Sequence, residues 1–335
     1  MTEAVPTSRA IGIEPDSSGE PRFVERQVPF APLGDHDLRV SVEAVSINPV
    51  DTKVARGVES FRILGFDGAG TVTEIGPAVT LFSPGDRVYW AGSITRAGSN
   101  QTHQLVDERV AALAPTSLSS ADAASIPLTA ITAWEALFDK LRLTSSDTGT
   151  ILIVGAAGGV GSVLIQLVRA LLPGVTIIGT ASRPESQDWA RKLGAHHVID
   201  PRSELVDQVL AIAPDGVDWI FSAWSSGRLD DYARVITSFG QIVGIDGGPI
   251  DVTPLKPKSA TWHWEYMFTR STPVGEQHDH HRILTEVARL IDEGLVSATA
   301  TTIIPGLTPE SLSAAHSLVA SGSVIGKVVV TVDAS

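Results

Sequence analysis

The stretch ILIVGAAGGVGSVLIQLVRAL, residues 151–171, constrains the fold of this 335-residue chain more than any other. Its first four residues, 151–154, are apolar and β-branched or leucine, as in a strand buried on both faces. The next seven hold Gly155, Gly158, Gly159 and Gly161, with Ala157 and Val160 between them. An apolar helix over 160–172 follows. A strand that turns sharply through glycines into a helix lets the backbone approach a pyrophosphate. That group then sits on the N–H groups at the helix N-terminus. A small residue at 161 also lets helix and strand pack closely. The bland alternative is a tight turn that holds nothing. The apolar strand before and the helix after give the glycines the context that a bare pattern lacks.

The same alternation continues downstream. Strands are expected at 175–179, 197–199, 217–221 and 241–245, and helices at 185–193, 204–211 and 229–236. Strand and helix alternating at this pace make a doubly wound parallel sheet with helices on both faces. The second strand ends near Thr180. A site for NAD usually places an acid there to bond the ribose hydroxyls. This chain has Ser182 and Arg183, and its first acid is Glu185. A guanidinium can pair with a 2′-phosphate and a serine hydroxyl can donate to it, so NADP(H) is favoured. The competing readings are a solvated Arg183, or a Glu185 that turns inward. Lys192 is expected to face solvent.

The flanks differ. Residues 1–127 read mostly as short strands with many glycines, a partly closed barrel-like sheet. HDLRVSVEAVSINP alternates through Leu38, Val40, Val42 and Ala44. From residue 120 the period becomes helical, with an interruption near Pro127 and an apolar stripe of Ile131, Trp134, Leu137, Phe138 and Leu141. Near the end, HHRILTEVARLIDEGLV and SLSAAHSLVAS read as helices and GKVVVTV as a strand. A lone strand cannot fold alone, so it is expected to return to the first sheet. The domains are thus 1–127, 128–265 and a return over 266–335.

Net charge of −13 argues against a nucleic-acid binder and against docking on an anionic membrane. The chain has no cysteine, hence no disulfide, no thiolate nucleophile and no thiolate-bound metal. That and the lack of a leader-like opening fit the cytoplasm. EQHDHHR places Glu276, His278, Asp279, His280 and His281 together, but without zincin spacing, and reads as the polar surface entrance of a helix. His196 and His197 read as packing or surface residues.

Several ordered segments together resemble one family. They are SINPVDTKVARG (46–57), ILGFDGAGTVTEIG (63–76), SPGDRVYWAGS (83–93), GSNQTHQLVDERV (98–110), VGAAGGVGS (154–162), LGAHHVID (193–200), TWHWEYMFTRS (261–271) and GKVVV (326–330). The pattern resembles the medium-chain dehydrogenase/reductase superfamily, and within it the NADPH:quinone oxidoreductase branch, proteins often called zinc-type alcohol dehydrogenase-like. The likeness runs over nearly the whole chain past about residue 22. It implies a GroES-like domain, an inserted Rossmann domain, a returning tail and a homodimer. Zinc-dependent members carry a Cys-His pair where this chain has Asn48 and Pro49. They carry Gly-His-Glu where it has Gly65, Phe66 and Asp67, and a third ligand near Leu128. The resemblance therefore implies no zinc.

Without a metal to activate a hydroxyl, oxidation of simple alcohols is disfavoured. A quinone or an enone is already electrophilic. Hydride transfer to it needs mainly stacking against the nicotinamide, exclusion of water and a few hydrogen bonds. The resemblance puts Asn48 at the acceptor, though an Asn-Pro pair can equally make only a turn. Lys53 is a possible proton donor where quinone reductases often have tyrosine, and water is the alternative. Asp51 is expected to be structural. Thr129 and Thr132 are expected to reach the nicotinamide ribose or its phosphate, or else to bond back to their own helix. Gly244 and Ile245 are expected at the nicotinamide ring, and Lys327 at cofactor or cleft. The aromatic run 262–268 roofs a flat acceptor or forms a dimer contact. The leading expectation is an NADPH-dependent oxidoreductase acting on a small hydrophobic quinone. The alternatives are enone reduction and a non-catalytic NADPH-binding sensor or structural protein.

Overall fold

The structure, a computed structural model, describes residues 6–272 and 278–333. These form two compact units, one of residues up to 128 with those from 268 on, the other Thr129–Met267.

The first unit begins with an antiparallel hairpin, β1 (Thr7–Pro15) and β2 (Pro21–Pro29). Next come β3 (Asp37–Ile47), helix α1 (Pro49–Ala55), β4 (Arg62–Ile63), β5 (Asp67–Ile75), β6 (Arg87–Ala91), β7 (His103–Asp107), β8 (Ala111–Leu113) and helix α2 (Ser120–Ala124). β3 is the hub, because its alternating Leu38, Val40 and Val42 enter the main core with Trp90, Leu312 and Val328. It pairs antiparallel with both β5 and β7.

Helix α3 (Pro127–Trp134) starts at the proline that the sequence marks as an interruption. Proline is tolerated in a first helical turn, where its missing N–H costs nothing. The helix runs on into a π-helical turn at Glu135–Lys140, where Leu141 N–H reaches Ala136 O at 3.0 Å. The apolar stripe alone gave no sign of that extra residue per turn.

The second unit continues with β9 (Gly149–Val154), α4 (Gly159–Leu171), β10 (Val175–Thr180), α5 (Pro184–Lys192) and β11 (His197–Ile199). Then come α6 (Leu205–Ile212), β12 (Val217–Ser222), α7 (Leu229–Val235), β13 (Ile236–Gly244) and β14 (Thr261–Trp264). All six strands are parallel, in the order β11-β10-β9-β12-β13-β14. That is the doubly wound dinucleotide-binding order, which reverses between β9 and β12. β14 lies in the aromatic run, which the sequence reading did not assign to a strand.

Within the first unit again, α8 (His278–Asp292) and β15 (Ala300–Ile304) lead to α9 (Pro309–Ala320) and β16 (Lys327–Thr331). β16 pairs antiparallel with β3 and parallel with β15, the expected return of the closing strand. Gly294 has φ +74° just beyond α8, as a helix stop requires. One expectation fails at the entrance of α8. His280 is fully buried, and His281 donates Nδ1–H to Ala111 O at 2.8 Å while its ring edge meets Phe82. The histidine cluster is thus partly core, not a polar surface. Glu276 lies outside the described residues.

Candidate active site

In the second unit, the glycine-rich turn is built at the carboxyl end of β9. Gly155 has φ +84°, a value that side-chain-bearing residues rarely adopt. Its N–H donates to Thr180 Oγ1 at 3.0 Å, and Ala156 N–H donates to Thr180 O at 3.2 Å, so the end of β10 pins the loop. A Cβ at Gly161 would stand 2.3 Å from Gly155 O, so only glycine lets α4 pack this close. A Cβ at Gly158 would meet only Gly155 O, at 3.4 Å. Close packing therefore asks less of Gly158 than of Gly161. Ser162 N–H is bonded to Gly158 O at 2.9 Å. The N–H groups of Gly159, Val160 and Gly161 belong to the first turn, where a helix offers its donors outward. Together with Ala157 this cradle fits a pyrophosphate. It belongs to a fold of NAD(P)H-using oxidoreductases.

Ser182 and Arg183 are half-buried in the turn after β10. Arg183 is the N-cap of α5, with its N–H on Ser186 Oγ at 3.1 Å. Glu185 is exposed, and Lys192 is exposed with its ammonium 5.7 Å from the Trp189 ring. At the end of β13, Gly244 is buried and Ile245 donates its N–H to Ser222 O at 3.1 Å. Thr129 and Thr132 are both buried on α3.

In the first unit, the ends of three strands meet. Val328 pairs with Ile47, and Ser46 pairs with Asp67. This register brings Lys327, Asn48 and Asp67 into one buried cluster. Lys327 Nζ donates to Asn48 Oδ1 at 2.5 Å, Ile47 O at 3.1 Å and Asp67 Oδ2 at 3.2 Å. Asn48 Nδ2 donates to Asp67 Oδ2 at 2.7 Å, and Leu128 N–H donates to Asp67 Oδ1 at 2.7 Å. An ammonium can only donate and a carboxylate only accept, which fixes the orientation of the Asn48 amide. The second Nδ2–H points to Ser46 O at 3.4 Å, so both ends of that amide are committed inside the unit. Lys327 is 4% exposed and likewise spent on this cluster. Burial pushes the Asp67 carboxyl above its ordinary range, and Lys327 and Asn48 pull it back.

Asp51 caps the start of α1, accepting Asn48 N–H at 2.8 Å and Gly65 N–H at 3.1 Å. Its structural role is as expected. Burial pushes its carboxyl up to about 7. Lys53 lies exposed on the same helix. The joint role of Lys327 and Asp67 was missed because 260 residues separate them, and only the pairing of β16 and β5 with β3 joins them.

These residues do not fit a zinc ion. Two of the places where zinc-dependent relatives carry ligands are Asn48 and Asp67, and both already bind an ammonium. Leu128 offers only its backbone. Among the described residues no group of three or more histidine, cysteine, aspartate or glutamate residues could hold a metal.

The second unit thus carries a Rossmann dinucleotide cradle, and the first, by itself, a GroES-like sheet whose zinc-ligand positions are filled by a lysine cluster. Residues 34–114 match the alcohol dehydrogenase GroES-like domain, and residues 193–330 match the zinc-binding dehydrogenase family. A zinc-type alcohol dehydrogenase-like protein of Staphylococcus aureus is 40% identical over 308 residues, covering 88% of this chain and 91% of the relative. A solved structure from Rhizobium etli CFN 42 has a TM-score of 0.91 at 40% identity, covering 99% of this chain and 100% of that one. A chloroplastic NADPH-dependent alkenal/one oxidoreductase of Arabidopsis thaliana is 32% identical over 246 residues, covering 69% of this chain and 60% of that protein. The chain belongs to the zinc-type alcohol dehydrogenase-like family, a zinc-lacking branch of the medium-chain dehydrogenase/reductase superfamily, and is an oxidoreductase of that superfamily.

Proposed function

We propose that the protein is an NADPH-dependent reductase of small hydrophobic electrophiles, quinones first. The observation that carries the reading is the Lys327–Asn48–Asp67 cluster. It fills the place where relatives hold a Lewis acid, so the acceptor must arrive already activated. When bound, NADPH supplies a hydride to such an acceptor, and one proton completes the reduction. In this reading Ala157, Gly158, Gly159, Val160 and Gly161 hold the pyrophosphate, and Gly155 shapes their turn. Ser182 and Arg183 take the 2′-phosphate. Thr129 and Thr132 serve the nicotinamide ribose or phosphate, and Gly244 and Ile245 the ring. Asn48 acts with Lys327 as a positioning pair that shapes the acceptor side. Lys53, an exposed ammonium, supplies the proton where water does not.

Enone reduction is a second reading, favoured by the likeness to the Arabidopsis alkenal/one oxidoreductase. It asks more of a placed proton donor, because the proton must reach the α-carbon. We further propose a homodimer acting in the cytoplasm. Among the described residues no helix is long and apolar enough to cross a membrane.

The test follows oxidation of NADPH and of NADH with a simple quinone and with a small enone. Faster oxidation of NADPH than of NADH with the quinone is expected. Faster turnover with the enone, giving saturated product, would move the assignment to double-bond reduction. No oxidation with any acceptor, despite cofactor binding, would leave the non-catalytic binder.

A further inference from the structure

We propose that Arg202 is a second cation of the 2′-phosphate subsite and selects NADPH together with Arg183. The inference deepens the cofactor reading above and rests on it.

β10 and β11 are neighbours, with Thr180 paired to Ile199, and Ala181 N–H continues the ladder to Ile199 O at 3.0 Å. The turns that follow these two strands therefore lie side by side. Arg202 stands in the second turn and donates through Nη2 to Ser182 O in the first. Its guanidinium thus rests on the peptide that joins Ser182 to Arg183.

The donors of Arg202 can be accounted for one by one. Nε donates to Asp200 Oδ1 at 3.0 Å, and Nη2 to Asp200 Oδ2 at 2.8 Å. A guanidinium has five N–H groups in a planar fork. Nε and Nη2 carry these bonds, and the Nη1 edge remains, on a side chain 66% exposed. The turn itself is held still. Arg202 N–H bonds Asp200 Oδ1 at 3.0 Å, and Arg228 Nη2 bonds Pro201 O at 3.1 Å. Asp200 does not compete as a ribose-reading acid, because its carboxylate is taken up by the N–H, Nε and Nη2 of Arg202. A phosphate placed by Ser182 and Arg183 would come within reach of a guanidinium already oriented, whose remaining Nη1–H groups can donate a charge-assisted contact to a phosphate oxygen.

The test is calorimetric titration with 2′,5′-ADP and with 5′-AMP, probes that differ only in the 2′-phosphate. Wild type is expected to bind 2′,5′-ADP the more tightly. One charge-assisted contact corresponds to roughly a ten- to hundredfold change in affinity. R202A should lose about that factor for 2′,5′-ADP and keep its affinity for 5′-AMP. The double variant D200N/R202A should show the same loss, since the missing cation and not a bared Asp200 causes it. Equal weakening for both probes would mean that Arg202 only shapes the turn, and no change would mean that it does not reach the phosphate. Recovery in the double variant would assign the effect to Asp200. Each of these overturns the proposal while leaving NADPH preference intact. Equal affinity of wild type for the two probes would overturn the NADPH reading and this inference with it.

Discussion

Asn48, Asp67 and Lys327 share one buried site, and none of their charges or amide ends is left to solvent. Such a cluster is held by mutual compensation. Removing one partner of a buried pair costs about 3–5 kcal/mol, because the other charge is stranded. Lys327→Met should therefore lower the denaturant midpoint sharply, and more at alkaline pH, where the stranded Asp67 must ionise. The double variant K327M/D67N should recover much of the loss. Purely additive losses in that cycle would mean that the two side chains act independently. Each residue type was visible in the sequence, and Asn48 and Asp67 stood out as replacements at positions where zinc-dependent members carry ligands. Their partnership was not visible, since it depends on the register of strands far apart in the chain.

Helix α9 shows the same limit at the scale of an element. The periodicity of SLSAAHSLVAS predicts the helix, but not what its histidine meets. His316 is 7% exposed and packs edge-on against Phe23, with ring centroids 4.8 Å apart. Burial lowers its pKa to about 4 from an ordinary 6.5. The folded state thus holds the neutral ring while the unfolded chain takes up a proton. This contribution is fully present above pH 6.5 and is lost as pH falls through 4, a span worth on the order of 3 kcal/mol. His316→Phe, which keeps an aromatic ring against Phe23, should flatten the decline in melting temperature between pH 6.5 and 4. Equal slopes for variant and wild type would show that His316 contributes nothing to acid unfolding. The βα alternation was read nearly strand for strand because each element buries a continuous apolar face. The π-helical turn and β14 escaped, one because an extra residue leaves the apolar stripe intact, the other because aromatic residues suit strand, roof and interface alike.

For the molecule as a whole, β14 is the outer strand of the parallel sheet and, among the described residues, pairs only with β13. Trp264 and Tyr266 at its end are 47% and 53% exposed. An open strand edge beside exposed aromatic rings is a liability unless something covers it. A second copy of the chain is the occupant that the proposed dimer supplies. Sedimentation should give a dimer for the wild type, and Trp264→Glu should shift it toward monomer with the far-ultraviolet dichroism unchanged. A monomeric wild type would return the aromatic run to other duties. Local chemistry along the chain was enough to establish the glycine cradle, the doubly wound sheet, the missing thiolate ligands and the basic turn at Arg183, because each depends on neighbours within a few tens of residues. The ammonium that stands among the lost zinc ligands, the commitment of the Asn48 amide and the clasp of Arg202 on Ser182 came only with the folded chain. Strand pairing brings such groups together across large sequence separations, and a hydrogen bond exists only where that pairing sets two atoms about 3 Å apart.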